Sequence, residues 1–200
     1  MSRTKLRRIA HAGYTLVELM VVIVIIGILS TTFFVFYNNS LTQYLALQKD
    51  GSDFSDLATQ SQRIVQVLRG LTDIVSESND DITCYAYFYP NDAYVSQIHY
   101  YKNAGNTKLY ADVTPMDANP PIGNLLTSKK KTYTIIPNFY QSATIKTFVY
   151  LDANGSALTL PIADEQSIKG IQVNLAVQGA HNSDQAMSLQ VSIRNRKTNL

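Results

Sequence analysis

The 200-residue sequence predicts an α+β protein: one long N-terminal helix, its first half transmembrane and its second half amphipathic, packed on an antiparallel β-sheet head. Three observations carry this expectation. A run from Tyr14 to Tyr37 holds a single charge, Glu18; a three-four apolar spacing follows over residues 41–75; and past residue 79 the period changes to two. The divisions are a leader at 1–13, the membrane half of the helix at 14–37, an amphipathic helix at 38–78 and a β head at 79–200.

The leader carries Arg3, Lys5, Arg7 and Arg8 and no acid. Flanking Lys and Arg stay cytoplasmic, which puts everything after residue 37 outside the membrane. The whole chain has a formal charge of +2; without those four residues 13 of the 17 Lys and Arg remain against 15 Asp and Glu, a balance of −2. A globally basic nucleic-acid binder is therefore not indicated.

As a helix, the run from Tyr14 to Tyr37 spans about 36 Å, enough for a bilayer core. Three arrangements compete for it. A secretory signal needs a small-residue cleavage site after the apolar run, but "STTFFVFYNN" has none, and no Cys follows to make a lipoprotein signal. A plain anchor has no reason to keep Glu18, whose insertion costs about 2.5–3.5 kcal/mol at mid-bilayer and less near the headgroups. The third arrangement requires a cut ahead of the helix.

"AG" followed by "YTLVELMVVIVIIGIL" resembles the prepilin signal of type IV pilins and type II secretion pseudopilins. The resemblance covers residues 1 to about 40, with basic leader, small-Gly site, acid and apolar helix at the family's offsets. It implies that 1–13 is a prepilin leader removed by prepilin peptidase, which cuts between Gly13 and Tyr14 and N-methylates Tyr14. It implies that Glu18 is the family's acid for filament assembly, pairing with the freed amine of a neighbouring subunit. It also implies a pilin-like lollipop fold, and as partners prepilin peptidase, other pilin or pseudopilin subunits, the inner-membrane assembly platform and membrane lipid. Two features depart from the usual pattern: Tyr14 stands where Phe is common, and residues 14–40 contain no proline, where major pilins often carry a helix kink.

Physical chemistry gives Glu18 a place in that scheme. One turn into the helix, the dipole favours an anion. Inside an apolar bundle an unpaired charge costs several kcal/mol, so a carboxylate and an amine from neighbouring helices neutralise each other and fix register. Gly27 weakens a helix in water but permits close helix approach in a membrane.

Over 41–75, Phe54, Leu57, Ile64, Leu68, Leu71 and Val75 form an apolar stripe with Ser61 its one polar member, and Gln60, Gln62, Arg63, Gln66 and Arg69 form a solvated opposite face. "DGSDF" at 50–54 interrupts the stripe; Gly51 can close one helix before Ser52 or Asp53 caps the next, or mark a kink in a continuous rod, which is the reading preferred here.

"SESNDD" at 76–81 is a turn signal. "ITCYAYFY", "AYVSQIHYY" and "TKLYADV" then predict a three-stranded meander, with Cys84, Ala86 and Phe88 on one face and Tyr85, Tyr87 and Tyr89 on the other. Residues 114–131, with three prolines and three lysines, read as a long surface loop. "ATIKTFVYL" and "SALTLPI" flank a "DANG" hairpin turn. Two final strands alternate strictly through Ile171, Val173, Leu175 and Val177 and through Met187, Leu189, Val191 and Ile193. In layout, "QRIVQVLRG", "YAYFYPNDAYVSQIHYY" and the closing "VSIRNRK" are similar to J-type minor pseudopilins and competence minor pilins.

No catalytic pattern stands out, so the chain reads as the substrate of an enzyme and not as an enzyme, with no cofactor and no metal. His11, His99 and His181 have no second ligand at metal spacing. Asp80-Asp81 and Asp164-Glu165 sit in turns. The Asp152, Asn154 and Ser156 spacing lacks the Gly and bidentate Glu of a calcium loop. Cys84 lies in an apolar alternation and reads as a buried structural thiol. DNA is a weaker partner expectation: Lys129–Lys131 are able to touch phosphates and tyrosines to stack on bases, against the acidic balance beyond the leader.

The function expected is a minor pilin or pseudopilin of a pilus, secretion or competence filament, in the inner membrane with its head outside. The rivals are a membrane-tethered extracytoplasmic binding module for DNA or an exported protein, and a tethered enzyme, which would need a pocket of convergent titratable groups.

Overall fold

The structure, a computed structural model, describes residues 14–140, 145–179 and 184–193. It divides into two units, Met1–Ala46 and Leu47–Leu200. One uninterrupted helix, α1 (Leu16–Arg69), runs through both. Gly51 does not break it.

In the first unit every described side chain up to residue 45 is exposed. This part of α1 is long and apolar enough to cross a membrane. Two of its hydroxyls are satisfied within the helix, as hydrocarbon surroundings favour: Thr31 Oγ1 donates to the Gly27 carbonyl at 2.9 Å and Thr32 Oγ1 to the Ile28 carbonyl at 3.0 Å.

In the second unit, α1 buries Leu57, Ser61, Ile64, Val65, Val67 and Leu68. The predicted stripe holds at its centre, Ser61 included, and fails at its ends: Phe54 is 43% and Val75 44% exposed. The amphipathic helix predicted over 38–78 stops at Arg69, because Gly70 closes the last turn on the Val67 carbonyl and the Thr72 amide already donates to the Tyr85 carbonyl across the sheet. Val75 consequently lies in a strand, where Ile74 is the residue that points inward.

The head contains two antiparallel sheets where the sequence predicted one. The first is a meander of five strands, β1 (Asp73–Glu77), β2 (Ile82–Ala86), β3 (Ser96–Lys102), β4 (Leu109–Pro115) and β5 (Lys131–Ile136), each paired with the next. The second joins β6 (Phe148–Leu151), β7 (Gly170–Val177) and β8 (Gln185–Ser192) in that order. The predicted meander is β2–β4, and its expected alternation is observed, with Cys84, Ala86 and Phe88 buried and Tyr87 and Tyr89 exposed. The predicted loop at 114–131 is shorter: β4 extends to Pro115, β5 starts at Lys131, and a short 3-10 turn, Thr127–Lys129, lies between. "DANG" makes its turn, with Gly155 at φ 81° and the Asp152 carboxylate accepting the Asn154 and Ser156 amides at 2.8 Å. The second arm of that hairpin reduces to one bridge, Leu151 to Ala157.

The helix and both sheets share one core, whose largest fully buried side chains include Tyr100, Tyr150, Phe148, Leu57, Ile64 and Leu68. Three links tie the sheets together: the Phe148 amide to the Asn79 carbonyl at 3.0 Å, Tyr150 Oη to the Ser78 carbonyl at 3.2 Å, and a bridge between Phe139 and Val177.

Candidate processing and assembly site

The N-terminus of α1 is built from the stretch "YTLVE". Thr15 stands just outside the helix and accepts the Glu18 amide on its Oγ1 at 3.2 Å, while its carbonyl accepts the Leu19 amide at 3.1 Å. Thr15 is therefore the N-cap, and Thr-x-x-Glu is the spacing of a capping box. This role was not anticipated, although "TLVE" ahead of an apolar run was its signal.

Glu18 lies in the first turn, where the helix dipole favours its charge. Its side chain is exposed, and among the described residues its carboxylate has no ion-pair partner. Tyr14 is 82% exposed one turn before it. Gly13, the other residue of the predicted cleavage site, lies outside the described residues, as do the basic leader, His11 and His181. The geometry thus presents an aromatic residue and an unpaired acid together at the head of an apolar rod.

The remaining candidates resolve into structural roles. His99 sits in β3, its Nε2 3.2 Å from Asp81 Oδ2 and its ring stacked on Tyr101. Asp81 also takes a hydrogen bond from Ser78 Oγ, and Asp80 pairs with Lys102 at 3.0 Å. Asp164 caps a short 3-10 turn through the Gln166 amide. Among the described residues no group of three or more His, Cys, Asp or Glu could hold a metal ion. Burial pushes the Cys84 thiol up to about 12, so it stays protonated and inert.

The three lysines divide. Lys130 Nζ lies 2.7 Å from Asp112 Oδ2, whereas Lys129 and Lys131 line a cleft of about 630 Å³ with Tyr89, Tyr94 and Tyr133. Burial by itself raises the Asp112 carboxyl, but bonds from Lys130, Thr132 and Tyr101 outweigh it and hold the group below the ordinary carboxylate range. Arg63, expected on a solvated face, instead lies over the Phe88 ring at 4.5 Å and the Tyr89 ring at 5.2 Å.

Residues 8–34 match the family model of the prokaryotic N-terminal methylation motif. No curated protein matches the chain. The motif supports the type IV pilin and pseudopilin family and, with it, processing by prepilin peptidase and assembly with other pilins. Together with the apolar first half of α1, it fits anchoring in the inner membrane.

Proposed function

We propose that this chain, which carries the N-terminal methylation motif of type IV pilins and pseudopilins, is a minor structural subunit of a type IV pilus, type II secretion or competence filament. Prepilin peptidase cuts between Gly13 and Tyr14 and methylates Tyr14. The observation that carries the reading is an exposed, unpaired Glu18 at the head of a helix whose described side chains are exposed to residue 45. Such a surface suits lipid first and a bundle of identical rods afterwards.

Before assembly the subunit spans the membrane once, with its leader in the cytoplasm and its head outside. Cleavage frees a cationic amine at Tyr14. In the bundle, the Glu18 carboxylate of one subunit meets the amine of its neighbour, and water is too scarce there to solvate either charge alone. A slip of one turn leaves both unmatched, so the pair sets the axial register. The capping role of Thr15 keeps the first turn helical and holds Glu18 in place.

Glu18→Ala tests the pairing. It removes one partner of a buried pair, a change worth about 3–5 kcal/mol, so incorporation into filaments falls by roughly a hundredfold or more while leader removal proceeds. Incorporation at the wild-type level, measured on sheared filament fractions, contradicts the mechanism.

A further inference from the structure

We infer that the cleft lined by Tyr89, Tyr94, Tyr133, Lys129 and Lys131 binds an anionic sugar unit, a saccharide ring bearing a carboxylate. Strand register creates the site. Asp112 faces Thr132 across β4 and β5, and Lys130 and Thr132 both bond its carboxylate, at 2.7 and 2.6 Å. That occupies one face of the sheet edge. Alternation sends Lys131 and Tyr133 to the opposite face, paired with Val113 and Ala111. This second face is the core face, since Ala111 and Val113 are buried, yet at this corner it stays open: Lys129 and Lys131 are exposed and, among the described residues, neither has an acidic partner.

The chemistry of the walls selects the ligand. Tyr89 and Tyr94 are exposed and offer flat apolar faces on which a sugar ring can lie. Tyr89 is held in place by an edge contact with Phe88 at 4.9 Å and by the Arg63 guanidinium on its ring. Arg63 Nη2 is buried without a hydrogen-bond partner, so its charge adds to the positive potential behind that wall. The two lysines supply the counter-charge for one carboxylate. Ser128 is exposed for sugar hydroxyls, and the Asp92 carboxylate, whose Oδ2 already accepts the Tyr89 amide at 2.9 Å, has further lone pairs to accept one. Asp92 also makes the cleft a poor match to closely spaced phosphates, as does the balance of −2 beyond the basic leader. A volume of about 630 Å³ suits one or two sugar units.

Calorimetric titration of the full chain in neutral detergent with D-glucuronate tests the inference, against D-glucose and a thymidine oligonucleotide. A ligand of this size binds with a Kd on the order of millimolar. The affinity falls about two- to fivefold in K129Q and in K131Q and weakens with added salt, while K130Q, on the other face, leaves it unchanged. Tyr94→Ala also weakens it. Absence of saturable glucuronate binding, equal binding of glucose, insensitivity to both K129Q and K131Q, or preference for the oligonucleotide each overturns the assignment. Unchanged thermal unfolding of the lysine variants shows that a lost signal is not lost folding.

Discussion

Single residues here do more than their sequence neighbourhood announces. Glu18 reads first as an acid out of place in an apolar run, yet it lies in the first turn of a helix capped by Thr15, where the dipole favours an anion even in the isolated chain. Asp112 is a second case, invisible as a special residue until β5 pairs with β4. Its depressed pKa means that the folded state binds this proton less readily than the unfolded chain. The stabilisation is therefore fully present above the unfolded carboxylate value of about 4 and is lost as pH falls through the depressed folded value. Asp112→Asn should cost about 1–3 kcal/mol at pH 7 and remove part of the loss of stability seen on acidification, read from urea midpoints at pH 7 and below pH 4. An unchanged midpoint at neutral pH would show that the Lys130, Thr132 and Tyr101 bonds to Asp112 contribute nothing.

At the scale of elements, the C-terminal half of α1 is an anchor for the head. Leu57, Ile64 and Leu68 are essentially inaccessible, and Leu68 is fully so. Leu68→Ala should destabilise the head by about 2–5 kcal/mol, the sum of lost transfer energy and a cavity, measured by denaturant unfolding in detergent. Phe54→Ala, at a position that stays 43% exposed, should cost much less. Legibility follows the same physics. Strands with one buried face, β2, β3 and β7, were readable from alternation alone, because burial enforces it. β1 was hidden because Leu71, Ile74 and Val75 continue a helical spacing past the residue, Gly70, that ends the helix. β5 was hidden because its exposed first residue, Lys131, ends a run of three lysines next to a proline-rich stretch and reads as loop. The division into two sheets depends on contacts far apart in sequence, such as Phe148 with Asn79, which no local pattern encodes. The same holds for the cleft: which of three consecutive lysines faces it is decided by the register of β5 on β4.

For the whole molecule, the two units differ in how they are stabilised. Residues 47 onward build a core from one helix segment and two sheets, with its single cysteine buried and free. The described part of the first unit buries nothing of its own up to residue 45, and each large apolar side chain left in water forgoes about 1.5–3 kcal/mol. Such an apolar surface is covered in lipid or among other helices, which is the thermodynamic ground of the membrane-then-filament route proposed above. The methylation motif at 8–34 covers the junction where this change of surroundings begins. The proposed processing makes a new amino terminus at Tyr14. Intact-mass and N-terminal analysis of the membrane-extracted protein tests it: a chain that starts at N-methylated Tyr14 is expected, and a chain that retains Met1 through Gly13 rules the cleavage out.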